Sequence, residues 1–179
     1  MLIAMAGLPA TGKSTLATRL AKELGGVVLS KDQVRAALFP PPALDYSSAQ
    51  NDISMDAIFH AVAYIRRTFP QQTVIIDGRT FLRSKQIDDL FALAASLGET
   101  PRIIECVCAE EVARRRLEHD LAQGKHPAQN RTYDLYLTVK EKVEPIAVPH
   151  LVLDTSTTSQ DESVQRCLRY FRGSESTPM

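Results

Sequence analysis

Tryptophan is absent from this chain, cysteine occurs three times and aromatic residues make up only 6% of it. So few flat side chains argue against a nucleic-acid track on which successive bases stack, and favour a small-molecule partner. Cys106, Cys108 and Cys167 are too few and too irregularly spaced for a disulfide framework or a four-ligand zinc site, so buried reduced thiols are expected. An excess of charge is missing too. Lysines and arginines number 21 and aspartates and glutamates 21, so no overall field draws the surface to nucleic acid or an anionic membrane, and any polyanion site is local. No apolar run approaches the roughly 20 residues that cross a bilayer. Met1 leads directly into an apolar strand with neither a basic leader nor a cleavage site, which sets the expectation of a cytoplasmic protein with no membrane partner. His60, His119, His126 and His150 show no metal-ligand spacing, and structural or surface roles are expected for them.

What the chain does have is alternation. Its 179 residues suit one domain, expected over residues 1–173 with a frayed tail at 174–179. Short apolar runs at 2–6, 26–29, 73–76, 102–107 and 150–153 read as strands buried on both faces. Stretches of helical period lie at 13–24, 31–38, 48–68, 84–96, 109–122, 132–144 and 159–171. Strands alternating with helices give an α/β fold with a parallel sheet. Two connections interrupt the rhythm. FPPPALDYSS (39–48) has three consecutive prolines, and AQGKHPAQNR (122–131) is a polar connection of the length that often serves as a lid.

The stretch GLPATGKST, residues 7–15, follows the first strand and opens an amphipathic helix. The pattern GxxxxGKS in that setting is a phosphate cradle. Gly7 and Gly12 let the backbone approach a phosphate, and the amides from Leu8, Pro9, Ala10 and Thr11 onward line an anion nest at a helix N-terminus. Proline itself contributes shape, having no amide hydrogen. Lys13 then reaches the β and γ phosphates, Ser14 offers a hydroxyl to magnesium, and Thr15 reads as a residue of the helix that bounds the site.

A second strand, TVIIDG (73–78), ends in Asp77, where an acid would orient magnesium or its water shell; a strand-end acid bonded to nearby backbone or to Ser14 is the alternative. Gly78 and Arg79 follow it in place of a water-activating glutamate, which disfavours hydrolysis as the main activity. No NKxD follows a later strand, which disfavours a GTPase. In VVLSKDQVRAAL (27–38), Ser30 and Gln33 fit a capping box, with Asp32 in the first helical turn and Arg35 one turn on. This turn overlooks the γ phosphate from the acceptor side if the second strand neighbours the site. Asp32 then accepts a proton from an attacking hydroxyl and Arg35 holds the acceptor or the phosphoryl group. A helix-dipole aspartate with a salt-bridged arginine explains the same residues. Tyr46 reads as an anchor of the proline-rich loop or a platform for substrate, and Asn51 and Asp52 as capping residues.

Gly7 to Ser14, LSKDQVR, VIIDGRTF and the arginine-rich EEVARRRLEHDL together resemble the polynucleotide-kinase-like and zeta-toxin-like branch of small P-loop kinases, over roughly residues 2–155. The resemblance implies a three-layer α/β fold with a five-stranded parallel sheet in 2-3-1-4-5 order and a helical lid at about 109–131. It implies Asp32 as general base, Arg35 at the acceptor, and a lid arginine on ATP: one of Arg114, Arg115, Arg116 or Arg131, with Arg116 and Arg131 preferred. DGRTF departs from the acid-x-threonine pattern of many relatives, leaving Arg79 either in the acceptor pocket with Asp77 or in a surface ion pair. The implied activity is transfer of the γ phosphoryl of ATP, with Mg2+, to a hydroxyl of a nucleoside, sugar or antibiotic, or of a nucleic-acid 5′ end. A nucleotide-sugar kinase of the zeta-toxin type and a nucleotide-binding regulatory module are the alternatives.

Overall fold

Alternate residues of a strand face opposite sides, and here both sides are covered. The computed structural model describes residues 1–124, 128 and 130–173. Its strands are β1 (Leu2–Ala6), β2 (Val27–Ser30), β3 (Val74–Asp77), β4 (Arg102–Val107) and β5 (Leu151–Asp154). All of β1 is fully buried. Leu2, Ala4 and Ala6 join Val74, Ile76 and Ile103 in one apolar core, while Ile3 and Met5 join Ile75, Ile104 and Leu153 in another. A strand buried on both faces belongs inside a parallel sheet. The five strands form one such sheet in the order β2-β3-β1-β4-β5, the order expected.

Seven helices are described: α1 (Lys13–Leu24), α2 (Lys31–Leu38), α3 (Ser48–Thr68), α4 (Ser84–Ser96), α5 (Glu110–Gln123), α6 (Tyr133–Lys140) and α7 (Gln160–Phe171). Met55, Ile58 and Val62 of α3 with Ile87, Leu90 and Ala94 of α4 cover the first core. Leu16, Ala17 and Leu20 of α1 with Val164 and Cys167 of α7 cover the second. The helices on each face complete the three layers. A third, smaller cluster is separate from both: Ala113 and Leu117 of α5 and Tyr136 of α6 close on Ala10 of the loop after β1. None of the described helices is long and apolar enough to cross a membrane.

Three local expectations are corrected. The edge strand β2 is not buried on both faces, since Val27 is exposed and its other residues are half-buried. Helix α6 ends at Lys140 rather than 144. Pro145 disfavours helix just before it, and Glu144 is used elsewhere: its N–H donates to Leu82 O at 2.9 Å and its carboxylate accepts from Ser84 N at 2.6 Å. That carboxylate supplies α4 with the cap its own preceding residue, Arg83, does not provide. Ser30 does precede α2, but its side chain makes no capping bond. The expected frayed tail and most of the 125–129 stretch of the expected lid, His126 included, lie outside the described residues.

Two glycines separate conformational cost from steric cost. Gly7 has φ +128°, and a Cβ there would lie 2.2 Å from the backbone oxygen of Cys106 in β4. Gly25, which ends α1 at φ +58°, has no atom within 4 Å of such a Cβ. Gly25→Ala is expected to cost about 1 kcal/mol, whereas Gly7→Ala pushes two strands apart and is expected to cost about 3 kcal/mol or more. Urea denaturation of both variants measures the difference, and equal costs would contradict the close approach.

Candidate active site

All five strands are parallel, so their C-terminal ends meet at one edge, where ligands bind in open α/β sheets. From β1 the chain enters the loop of residues 7–12. Gly7 N–H donates to Thr80 O at 2.8 Å, tying the loop to the exit of β3. Thr11 Oγ1 donates to Leu8 O at 2.8 Å across the loop. Gly12, at φ +87°, directly precedes α1 and packs beside Thr155, whose Cγ2 lies 3.5 Å from where a Cβ would stand. A glycine in that place leaves the first amides of α1 with no capping side chain, so they face the cavity as an anion site. Lys13 folds back over the loop, its Nζ donating to Gly7 O at 2.8 Å and Leu8 O at 2.6 Å. Burial pulls its pKa down from 10.5 to about 8, against the opposing charge of Asp77.

On one side of Lys13 is a cavity of about 390 Å3, bounded by Ala10 and the Gly12, Lys13, Ser14 and Thr15 end of the loop. Arg116 and Arg131 also line it. Arg116 donates to Ala10 O at 3.1 Å, Thr155 Oγ1 at 3.0 Å and Thr155 O at 2.9 Å, bridging α5, the loop and the end of β5. Arg131 is paired with Asp120 at 3.3 Å. Arg114 and Arg115 are exposed instead, the former paired with Glu118 at 3.0 Å. Gly7 and Thr11 are buried within the loop, and Leu8 packs on the small α5 and α6 cluster.

On the other side is a cavity of about 200 Å3, lined by Pro9, Lys13, Ser14, Asp32, Arg79 and Arg131 among others. The sheet brings Asp32 there. Ser30 pairs with Asp77 in the ladder, and Gly78, at φ +87°, lets β3 pass so close that a Cβ would lie 3.1 Å from Lys31 N. Asp32 Oδ1 accepts from Arg35 Nη2 at 2.8 Å, and Lys31 Nζ is 3.7 Å from the same oxygen. Arg35 is only 4% exposed. It also donates to Asn51 Oδ1 at 2.7 Å and lies over the Tyr46 ring, 4.7 Å from its centre. So Arg35 lines this cavity as a buried clamp on Asp32. Tyr46 and Asn51 hold that clamp; the cap of α3 is Ser47, not Asn51. Asp52 is 3.8 Å from Arg79 Nη2.

Asp77, at the end of β3, is 3% exposed, and its Oδ1 is buried without a hydrogen-bond partner among the described residues. An unpartnered buried carboxylate oxygen near Lys13 and the exposed hydroxyl of Ser14 are hard oxygen donors, and they fit magnesium held mostly through water. The described residues hold no group of three or more His, Cys, Asp or Glu suited to a metal. Cys106, a neighbour of Lys13, has its thiol pushed up to about 12 by burial and takes no part.

Lys13, Ser14 and Arg131 line both cavities and form the wall between them. The sequence did not single out Lys31 or Asp120, and it offered Asn51 only as a cap. The resemblance places VLDTS (152–156) before a loop near the nucleotide base, and Thr155 does line the first cavity.

A family model described as an AAA domain matches residues 2–141. Among curated proteins none matches the chain. Among solved structures, a provisionally named kinase from Chloroflexus aurantiacus is 26% identical with a TM-score of 0.75, each chain being covered over 97%. The Mycobacterium tuberculosis APS kinase CysC, in complex with AMPPNP and APS, is 17% identical with a TM-score of 0.70 and 96% of each chain covered. A gluconokinase from Sinorhizobium meliloti is 18% identical with a TM-score of 0.61, covering 92% of this chain and 87% of its own. The fold is thus that of P-loop kinases.

In the nucleotide-free protein Lys13 loses its proton near pH 8, while a bound phosphate needs the ammonium. Magnesium-ATP affinity is therefore expected to be level at lower pH and to fall above it by up to about tenfold per pH unit, with proton uptake on binding. Calorimetry in buffers of different ionisation heat measures both, and an affinity that stays level well above that point contradicts the role of Lys13.

Proposed function

We propose a kinase function for this chain, which belongs to the AAA domain family: it transfers the γ phosphoryl group of ATP to a hydroxyl of a small molecule. The observation that carries this reading is the wall of Lys13, Ser14 and Arg131 shared by two cavities, one running along the phosphate loop and the other holding Asp32. A triphosphate laid along Gly12, Lys13, Ser14 and Thr15 brings its terminal phosphoryl to that wall. An acceptor in the second cavity meets it from the opposite side, as in-line transfer requires.

The roles follow from position. Asp32 takes the proton of the acceptor hydroxyl as its oxygen bonds to phosphorus. The bond from phosphorus to the β-γ bridging oxygen breaks, and the electron pair leaves with ADP. Lys13, the amides at the start of α1, and Arg116 and Arg131 hold the charge that builds on the phosphates. Arg35 keeps the Asp32 carboxylate aimed by its 2.8 Å bond to Oδ1. Ser14 and Asp77 would hold magnesium, which offsets phosphate charge when bound. Gly78 and Arg79 follow Asp77 where a hydrolase would place a water-activating glutamate.

Helices α5 and α6 touch the phosphate loop through the small Ala10, Ala113, Leu117 and Tyr136 cluster, apart from the two large cores. We assign them as a lid whose closure brings Arg116 and Arg131 onto the nucleotide and excludes water, suppressing hydrolysis. The acceptor cavity of about 200 Å3 favours a small molecule over a nucleic-acid end. The Asp32 and Arg35 pair supports the narrower likeness to the polynucleotide-kinase-like and zeta-toxin-like branch.

Acceptor-stimulated ADP release across a panel of hydroxyl compounds tests the reading. Lys13→Ala is expected to abolish it. Asp32→Asn is expected to keep magnesium-ATP affinity within about threefold while lowering kcat by about 100-fold or more. A wild-type rate in Asp32→Asn overturns the base assignment. Tight nucleotide binding that no acceptor converts to ADP release marks a nucleotide-dependent regulatory module instead.

A further inference from the structure

Resting on the kinase reading, we propose that the acceptor carries an oxyanion in addition to its reacting hydroxyl, and that this anion docks on Arg79 with Lys31 on the α2 side of the site. The first observation is an orphan. Arg79 Nε is fully buried and has no hydrogen-bond partner among the described residues. Buried donors on charged groups are rarely left unmade, because their lost hydration is not recovered. The nearest carboxylate does not satisfy it. Asp52 stands 3.8 Å from Nη2, beyond hydrogen-bond reach, and its side chain is 67% exposed to water.

The second observation is placement. Arg79 lines the acceptor cavity beside Asp32, and also a larger cavity of about 500 Å3 that continues it outward. Lys31 lines both with it. The outer cavity adds Arg83, Lys85 and Lys142, against Asp52 as its lining carboxylate among the described residues. Lys85 is drawn to Asp89 at 3.0 Å, and Asp56 and Asp89 also bear on Arg79 from the α3 and α4 side. The cations still outnumber the acids on this wall, in a chain whose formal net charge is zero. The excess is therefore local, as a site for a small anion requires.

The third observation is shape. A guanidinium edge presents parallel N–H donors that match two oxygens of a phosphate, sulfate or carboxylate, which an ammonium cannot do. An anion seated there would hold the rest of the molecule in the Asp32 cavity, converting binding energy remote from the reaction into orientation of the hydroxyl. Neutral analogues would lose that anchor.

The test uses the full chain loaded with AMPPNP and magnesium, so that the phosphate loop is already filled. Methyl phosphate, methyl sulfate and acetate are titrated separately, with chloride at matched ionic strength as control, by calorimetry and by the NMR signal of the Arg79 Nε–H. Saturable binding of at least one probe that shifts this signal is expected, and the tightest identifies the anion as phosphate, sulfate or carboxylate. Arg79→Gln should weaken it by about tenfold or more while AMPPNP affinity stays within about threefold, since Arg79 is not in the nucleotide cavity. Arg79→Lys, which keeps the charge and loses the paired donors, should be intermediate, and it serves alone if the glutamine variant does not fold. If AMPPNP binds but no probe exceeds the chloride control, or Arg79→Gln binds as the wild type does, the inference is overturned and the kinase reading stands. Failure of AMPPNP itself to bind removes the kinase reading, and the inference with it.

Discussion

A buried ammonium at the end of the first strand organises this molecule. Lys13 is 9% exposed, held by two carbonyls of the loop it springs from, and shifted by burial toward losing its charge. Such a group is poorly satisfied alone and well satisfied beside a polyanion. Around it the protein fixes everything else. Gly7 lets β1 pass within reach of β4, Gly78 lets β3 crowd α2, and Gly12 clears Thr155. The last two approaches carry functional groups toward Lys13, Asp32 from α2 and Arg116 by way of Thr155, while Asp77 arrives at the end of β3.

Much of this architecture was legible because it is local. The GxxxxGKS spacing, the apolar runs and the helical periods are written within a dozen residues each, and the strand order followed from the resemblance they support. What was not legible depends on contacts between distant segments. Nothing in the string around Asn51 announces that its side chain receives Arg35 across 16 positions, so capping was the local inference. For Arg35 the pairing with Asp32 was one of two readings the spacing offered, but its burial was not legible, because that comes from Tyr46 and α3 rather than from its own helix. The choice among the α5 arginines was readable in part. Ala113 and Leu117 are its buried residues, and Arg116 lies beside them on the inward face while Arg114 and Arg115 turn outward. The early end of α6 was written in Pro145, but the pull of Glu144 toward Ser84 was not.

On the proposed lid, the small α5 and α6 cluster, separate from the two large cores, would be a cover over a base built on the sheet. The base sets the phosphate loop at the end of the fully buried β1 and the Asp32 clamp at the end of the edge strand β2. The cover would bring Arg116 and Arg131, already bonded to Thr155 and Asp120, onto a bound nucleotide. On the proposed reaction this division reconciles precise alignment with the need to admit substrate and release product.

The central claim is that Lys13 stands between a nucleotide on one side and an acceptor on the other. A crystal structure of the full chain with AMPPNP and magnesium tests it most directly. The adenosine is expected in the cavity bounded by Arg116 and Thr155, with the γ phosphoryl at the wall of Lys13, Ser14 and Arg131 and its open face toward Asp32. A triphosphate lying in the Asp32 cavity, or one whose γ phosphoryl points away from that carboxylate, contradicts it.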